Sequence, residues 1–305
     1  MKISVVIATY NGEKYILDQL TSLLDQCRQP EQVLIFDDCS TDNTPSLIKS
    51  FIEKNKLSGW NLIENEQNKG WRCNFWNGIL ISTGDIVFLC DQDDIWRRDK
   101  IQKMSEAMED NSKIELLASG YTKLFDETGE LDPMPEHMDI VQQTIYNNIF
   151  YVLLPGCTYC VRRSLIDQVA PYWEPETAHD EILWRFSLFS ESLYVYRENF
   201  IKWRKHKNSA WSIQGRNAKN IKAKIEWIRF ANHQLRQLKE YLNKNRILTK
   251  DKESILLGNS KWLSNRYRFY KTKKFIYAIK LLFQVKYYNS FKQYLGDLYI
   301  VYFVK

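Results

Sequence analysis

The chain has 305 residues, of which 44% are hydrophobic and 14% aromatic, and its 43 basic and 37 acidic residues give a formal net charge of +6. This length corresponds to one large domain or about two ordinary ones, and the apolar fraction suffices for a packed core. These values exclude a disordered chain, a collagen-like repeat and a small disulfide-stabilised protein.

The first ninety residues alternate between predicted strands and helices. Residues 3–8 form a short apolar run without polar alternation, which indicates a strand buried on both faces of a parallel sheet. A helix over 14–27 and a buried strand over 32–36 complete a βαβ unit. The pattern continues with a helix ending at Ile52, a strand over 60–63, a helix over 74–82 and a strand over 85–90. We therefore predict a doubly wound α/β sheet, whose ligands bind at the carboxyl ends of the strands.

Three carboxylates follow the fourth predicted strand in the run Asp91-Gln92-Asp93-Asp94. In an extended turn Asp91 and Asp93 point the same way, so together they can hold Mg²⁺ or Mn²⁺, with water and phosphate oxygens as the other ligands. The same run is also typical of a solvated acidic turn that caps a helix over 95–104. Its position at the carboxyl edge of the sheet favours the metal site.

A second acidic pair, Asp37-Asp38, follows the second strand. Asp38 either accepts a hydrogen bond from a nucleotide base or caps the next helix. The chain has no Gly-x-Gly-x-x-Gly after the first strand and no Gly-Lys-Ser/Thr loop, which disfavours a standard dinucleotide site and a P-loop. Phosphates would then need the metal, as expected for a nucleotide-diphosphate leaving group.

Two further side chains are candidates for chemistry. Asp180 opens an apolar helix after a Pro-rich loop, where it is either a helix cap or the general base for an acceptor hydroxyl. His206 lies in the basic loop 203–208 and is either a surface residue or a third metal ligand. Cys157 and Cys160 have the spacing of a zinc pair, but no second pair accompanies them, so no zinc site is predicted.

Residues 1–215 resemble the family-2 inverting glycosyltransferases with the GT-A nucleotide-diphospho-sugar transferase fold. Four motifs carry the resemblance by their order and spacing: VVIATYN at 5–11, DDCSTD at 37–42, NKG at 68–70 and DQDDIW at 91–96. The last motif, with PGCT at 155–158, His179-Asp180 and KHKN at 205–208, is similar to a bacterial rhamnosyltransferase-like branch that acts in surface-polysaccharide assembly.

The resemblance implies a role for each matching position. Thr9, Tyr10 and Asp38 would hold the nucleotide base and ribose, with Glu13 nearby. Asp91 and Asp93 would form the Asp-x-Asp pair, with Asp93 as the direct ligand of Mg²⁺ or Mn²⁺. Asp180 would be the catalytic base, and His206 would add a contact to the metal or the diphosphate.

The sequence departs from the family pattern at two places. The family commonly has Arg where this chain has Cys73, which leaves one donor contact unassigned, and Arg72 is the candidate substitute. The proline commonly found soon after the acidic motif is replaced by Arg97-Arg98, which concerns only the start of the next helix.

The charge divides the chain into a predicted catalytic domain, residues 1–215, and a basic, aromatic-rich helical region, residues 216–305. The first part has 32 acidic and 22 basic residues, and the second has 5 acidic and 21 basic residues. In the second part Phe275, Ile276, Ile279, Leu282 and Phe283 have helical spacing. The region is interpreted as a surface that binds an anionic membrane, a helical appendage packed on the catalytic domain, or a nucleic-acid surface. The membrane is favoured, and no nucleic-acid partner is predicted because no such binding motif is present.

The predicted activity is metal-dependent inverting transfer of a sugar from a nucleotide-diphosphate donor, dTDP-rhamnose-like or a UDP-sugar, to a hydroxyl of a growing lipid-linked surface polysaccharide. The alternatives are a nucleotidyltransferase of related fold and a non-catalytic sugar-nucleotide-binding protein.

The scattered cysteines, the start of the chain and the lack of a long apolar window predict a cytoplasmic protein, peripheral on the inner face of the cell membrane.

Overall fold

The computed structural model describes residues 1–206 and 220–304, which form two compact units. The first contains residues 1–143 and 152–206, and the second contains residues 144–151 together with the described residues from 220 onward. Residues 144–151, which the sequence analysis places in the first region, thus group with the second unit. The predicted boundary between 215 and 216 lies outside the described residues, as do Lys207 and Asn208 of the basic loop.

The first unit is built on one mixed sheet. Its strands are β1 (Ile3–Thr9), β2 (Gln32–Asp37), β3 (Trp60–Glu64), β4 (Ile86–Asp91), β5 (Ile95–Trp96), β6 (Leu116–Phe125), β7 (Leu131–Pro133), β8 (Ile140–Gln142), β9 (Tyr159–Arg162) and β10 (Leu193–Lys205). They are ordered β3-β2-β1-β4-β9-β6-β10-β5, with β7 on β6 and β8 on β10. The predicted alternation of the first four strands with helices is confirmed.

The sheet topology brings four strand ends to one edge. β3, β2, β1 and β4 are parallel, and the register pairs Thr9 with Asp37 and Ala8 with Asp91. β9 runs antiparallel to both β4 and β6, so β6 runs in the same direction as β4. β10 is parallel to β6 and shares that direction. The carboxyl ends of β1, β2, β4 and β10 therefore lie along the same edge, where the acidic motifs were predicted.

The helices of the first unit are α1 (Ile16–Leu24), α2 (Thr44–Lys54), α3 (Trp71–Ile81), α4 (Lys100–Asp110), α5 (Arg163–Val169) and α6 (His179–Phe189). The helix considered over 95–104 is wrong at its start. Ile95 and Trp96 form β5 because they pair with Lys202 and Ile201 of β10, and α4 begins only at Lys100. This short strand ties the acidic motif to the end of β10.

Apolar side chains explain why these elements pack together. Val5 and Ile7 of β1, Val33 and Ile35 of β2, and Phe88 of β4 are almost fully buried in a shared core. Strands that are apolar on both faces require helices on both sides, as in other parallel sheets.

The second unit is helical. It contains α7 (Ile221–Lys244), α8 (Lys250–Thr272), α9 (Phe275–Leu282) and α10 (Phe291–Tyr302). The long helices α7 and α8 are capped by Asn220 and Thr249, whose side chains accept hydrogen bonds from the first turn. Within residues 1–206 and 220–304, no helix combines the length and apolar character needed to cross a membrane.

Candidate functional site

The loops after β1 and β2 are joined by hydrogen bonds that fix the predicted nucleotide-binding residues. The buried Thr9 hydroxyl donates to Asp37 at 3.0 Å, and the Asp38 N–H donates to the Thr9 carbonyl at 2.9 Å. Tyr10, directly after β1, is exposed. The strand ends thus place Thr9, Tyr10 and Asp38 together.

Asp38 is not a helix cap. Its carboxylate is buried and accepts hydrogen bonds from the Lys69 N–H at 2.8 Å and from the Asn65 side chain at 3.0 Å. The side chain that accepts from the start of α2 is Asp42, which receives the Thr44 N–H at 3.0 Å. The capping alternative for Asp38 is therefore wrong, because the carboxylate turns toward the loop after β3 instead.

Glu13 binds the loop between β2 and α2. Its carboxylate accepts hydrogen bonds from the main-chain and side-chain nitrogens of Asn43, at 3.0 and 2.9 Å, immediately before α2. Glu13 is an exposed residue that orders the loop before α2, close to the predicted nucleotide-binding residues.

The acidic motif splits into two groups. One carboxylate oxygen each of Asp91 and Asp94 and the thiol of Cys157 lie within 4.8 Å of one another. Asp93 instead faces His206, with its Oδ2 at 2.7 Å from His206 Nε2. The predicted proximity of His206 to the acidic motif is seen here, whereas Asp94 and Cys157 were not among the predicted ligands.

The carboxylates of the motif repel one another. Burial raises the pKa of Asp91 to about 7, and the charge of Asp93 adds to this shift. Burial and the neighbouring Asp93 and Asp91 likewise raise the pKa of Asp94 well above its usual range. The raised pKa values of Asp91 and Asp94 indicate that it costs free energy to keep both carboxylates ionised here, and a bound cation would reduce that cost.

The end of β10 holds the motif in place. The Arg204 N–H donates to Asp94 Oδ1 at 3.0 Å, and the Arg204 guanidinium donates to the Asp93 carbonyl at 2.8 Å. Lys205 also lies near the motif, and burial lowers its pKa to about 8, although the Cys157 and Asp94 groups oppose that shift. These contacts require β5 to pair with β10, as described above.

Asp180 lies in the first turn of α6 and is half-buried. Ala178 occupies the capping position and no side chain caps this helix, so the capping alternative for Asp180 is not realised. One Asp180 oxygen accepts the Glu181 N–H at 2.9 Å. Burial raises the pKa of Asp180, and the charge of Asp180 in turn raises the pKa of Asp91, so the two carboxylates lie within electrostatic reach.

Arg72 and His179 surround Asp180. The Arg72 guanidinium lies 4.4 Å from the centre of the Trp71 ring, and its charge opposes the rise in the pKa of Asp180. His179 is buried and stacks on Phe75 with ring centres 4.0 Å apart. Burial lowers the pKa of His179 to about 3. Gly156 packs against both residues: a Cβ built on it would lie 2.6 Å from His179 Nε2 and 3.0 Å from Asp180 Cβ.

Gln92, the second residue of the acidic motif, forms a link that was not predicted from the sequence. Its side-chain oxygen accepts the Tyr10 N–H at 2.9 Å, and its side-chain nitrogen donates to the Tyr10 carbonyl at 3.1 Å. A carboxamide can satisfy both main-chain groups of one residue. The Gln92 side chain therefore couples the acidic motif to the loop after β1.

The donor set fits a hard divalent cation. Asp91, Asp93 and Asp94 supply carboxylate oxygens, which Mg²⁺ and Mn²⁺ prefer, and His206 offers an imidazole nitrogen that Mn²⁺ also accepts. Cys157 is a soft ligand, but burial and the nearby Asp94 and Asp91 charges raise its pKa well above the usual range, so it stays a neutral thiol. Cys160 points elsewhere, toward Met108 and the Leu117 carbonyl, and the two cysteines do not act as a zinc pair.

Comparisons with known proteins agree with this architecture. The family model for glycosyl transferase family 2 matches residues 4–162, just over half of the chain. The dTDP-rhamnosyl transferase RfbG of Shigella flexneri is 27% identical over 222 residues, which cover 67% of this chain and 72% of that protein. An uncharacterized glycosyltransferase of a Nostoc species is 24% identical over 206 residues, and the alignment spans 66% of this chain but only 60% of the Nostoc protein.

A solved structure shares the fold. The crystal structure of Staphylococcus aureus TarS 1-349 in complex with UDP-GlcNAc superposes with a TM-score of 0.64 at 20% sequence identity, over 98% of this chain and 82% of that chain. The predicted GT-A fold, a mostly parallel sheet with flanking helices followed by a helical region, is thereby confirmed. The chain belongs to glycosyl transferase family 2.

Proposed function

We propose that the protein is a metal-dependent, inverting glycosyltransferase that moves a sugar from a nucleotide-diphosphate donor to a hydroxyl of a growing, lipid-linked surface polysaccharide. One observation carries the proposal. Asp91 pairs in register with Ala8 at the end of β1, Gln92 binds the Tyr10 main chain, and the charge of Asp180 acts on Asp91. The acidic motif, the predicted nucleotide-binding loop and the candidate base therefore lie together. Family membership supports the class of reaction.

The donor would be bound by the loops at the carboxyl edge of the sheet. Thr9, Tyr10 and Asp38 would hold the base and ribose, and Arg72 would supply a positive charge near the sugar-diphosphate. Asp93, Asp91 and His206 would hold Mg²⁺ or Mn²⁺, with Asp94 beside them. The cation, when bound, would neutralise the negative charge that develops on the diphosphate.

The transfer step would need one base. Asp180 would accept the proton of an acceptor hydroxyl while its oxygen forms a bond to the anomeric carbon. The bond between that carbon and the diphosphate breaks on the opposite face, and the nucleoside diphosphate leaves with the bonding electrons. A single displacement of this kind inverts the configuration of the sugar. The raised pKa of Asp180 suits a group that must hold a proton after the step.

The relatives suggest two donor classes. RfbG is named a dTDP-rhamnosyl transferase, and TarS is named a poly(ribitol-phosphate) beta-N-acetylglucosaminyltransferase and binds UDP-GlcNAc in its crystal structure. By analogy we propose a dTDP-deoxysugar or a UDP-sugar donor, and a peripheral location on the inner face of the cell membrane.

A donor screen tests the proposal. The full chain is incubated with dTDP- and UDP-sugars, with Mn²⁺, Mg²⁺ or a chelator, and both binding and release of nucleoside diphosphate are measured. We expect one donor class to be bound and slowly hydrolysed only with metal. Metal-independent turnover would refute the metal requirement, and tight binding without any turnover would favour a non-catalytic sugar-nucleotide-binding protein. Formation of a nucleoside triphosphate and a sugar 1-phosphate on addition of pyrophosphate would favour a nucleotidyltransferase.

The variant Asp180→Asn tests the base. We expect the transfer rate to fall by about 10² to 10⁴-fold, because general bases contribute on that order, while donor affinity stays the same. Glu181→Gln is the matched control, since Glu181 is the adjacent carboxylate and burial also raises its pKa. Equal losses in both variants would remove Asp180 from the role.

A further inference from the structure

The last two helices carry an exposed apolar face on the side away from their packing contacts. In α9, Ala278 and Leu281 are buried, whereas the opposite side exposes the residues Phe275, Ile276, Ile279, Leu282 and, just past the helix, Phe283. In α10, Tyr294, Ile300 and Val301 are buried, and the other side exposes Phe291, Leu295, Tyr299, Tyr302 and, just past the helix, Phe303. Helices that are apolar on both sides are normally covered on both sides.

The two helices contact one another at one end and through their buried sides. The Tyr302 hydroxyl, at the end of α10, donates to the Lys273 carbonyl just before α9, at 3.3 Å. The Tyr294 hydroxyl donates to the Ala278 carbonyl at 3.2 Å, which joins the buried sides of the same two helices. We call the ten exposed residues together the terminal apolar face. An apolar patch of this extent on an exposed surface marks an interaction site.

The charges around the terminal apolar face are of one sign. Residues 271–305 contain seven lysines and one acidic residue. Six of the lysines are exposed: Lys271, Lys273, Lys274, Lys280, Lys286 and Lys292. The acidic residue, Asp297, is buried and bound to Arg266 at 2.7 Å. The face is therefore bordered by cations, and no acidic side chain of residues 271–304 reaches the solvent.

From these observations we infer that α9 and α10 dock on an anionic lipid bilayer, with the terminal apolar face in the headgroup region and the lysines at the phosphates. This inference rests on the proposed function in one respect, since a lipid-linked acceptor would be presented at that surface. Apolar side chains bordered by lysines are the signature of an interfacial helix. A second copy of this chain would bring two lysine-bordered faces together and would place like charges opposite one another.

The 305-residue chain and its variants can be tested with vesicles that carry no acceptor and no donor. The double variant Phe283→Ser/Phe303→Ser removes two large side chains that are 82% and 74% exposed, so the fold should be unaffected. The matched control is Met138→Ser, which removes an 86% exposed apolar side chain from the first unit. We expect the double variant to bind phosphatidylglycerol-containing vesicles at least about tenfold more weakly, and the control to bind like the wild type.

The lysines are tested separately with Lys280→Gln/Lys286→Gln, for which we expect weaker vesicle binding and a smaller loss of binding on addition of salt. If the double phenylalanine variant bound the vesicles as tightly as the wild type does, the inference would be overturned. Equal binding of the wild type to neutral and anionic vesicles would also overturn it. A wild-type dimer that the phenylalanine variant converts to a monomer would show that a second copy covers the face. None of these outcomes depends on sugar transfer, so failure of the inference is distinguishable from failure of the proposed function.

Discussion

The two units both bury carboxylates, but they treat the charge in opposite ways. In the second unit, the Asp297 carboxylate accepts hydrogen bonds from the Arg266 guanidinium at 2.7 and 3.0 Å and from the hydroxyls of Tyr270 and Tyr288. Arg266 also lies against aromatic rings, with its guanidinium carbon 4.8 Å from the centre of the Trp262 ring. The charge is fully matched within the fold.

In the first unit the negative charge of the acidic cluster is not matched by its surroundings. Burial and the charge of Asp93 raise the pKa values of both Asp91 and Asp94, and the charge of Asp91 raises the pKa of Asp94 further. The opposing effects of Lys205 on Asp91 and of the Arg204 N–H on Asp94 do not restore the usual values. A matched buried charge serves the fold, whereas an excess of like charge at the edge of a sheet is available for a ligand. The difference separates a structural ion pair from a candidate binding site without reference to any relative.

The largest effect is expected where the matched charge is broken. Arg266→Met leaves Asp297 buried without its cation, which should lower the free energy of unfolding by about 3 to 5 kcal/mol. Calorimetric unfolding measures the loss. The matched control is Lys239→Met, because Lys239 pairs with Glu253 at 2.8 Å on the surface, with 41% and 44% of the two side chains exposed. Its expected effect is below about 1 kcal/mol, and equal effects would contradict the contrast.

In the acidic cluster, removal of a carboxylate should change the free energy of unfolding in the opposite direction. Asp91→Asn relieves repulsion, so without metal at pH 8 we expect the free energy of unfolding to rise by roughly 1 kcal/mol, after allowance for solvent screening of this half-buried group. The same variant should bind Mn²⁺ at least about tenfold more weakly. Calorimetry measures both quantities. Asp167→Asn, a change at an exposed carboxylate of α5, should alter neither, and a destabilised Asp91→Asn would show that the cluster is structural.

An effect that appears only at acidic pH concerns His179, whose imidazole is kept neutral by burial. Its pKa is lowered to about 3 in the folded protein, so between pH 6.5 and 3 only the unfolded chain takes up this proton. Stability is therefore lost as the pH falls below 6.5, by about 2 kcal/mol at pH 5. His179→Phe should remove that part of the loss, whereas His137→Gln, which removes an exposed histidine, should not. A pH profile unchanged by His179→Phe would contradict the assignment.

Much of the first unit could be predicted from local patterns. The apolar runs of β1, β2 and β4 end in polar residues, and the parallel order of these strands places Thr9, Asp38 and Asp91 at one edge. The roles assigned to those residues came from the family motifs, and they remain predictions.

The contacts that could not be predicted are those between distant parts of the chain. Cys157 reaches Asp91 and Asp94 only because β9 enters the sheet antiparallel, between β4 and β6. Ile95 becomes a strand residue because it meets Lys202 more than a hundred positions later. No local pattern in the sequence indicates either pairing. Asp94 differs from these two cases. The sequence shows it as a third carboxylate of the motif, but it does not show that Asp94 is buried next to Asp91 and Cys157.

Gly156 has a consequence for how the site can change. Because glycine has no Cβ, His179 and Asp180 can pack closely against residue 156. The position of the candidate base relative to the acidic cluster therefore depends on glycine at this position. Alanine at 156 would force His179 or Asp180 to shift, so the candidate base would change position while every carboxylate of the site is kept. The space that glycine leaves at 156 therefore sets how closely the start of α6 can approach the loop that carries Cys157.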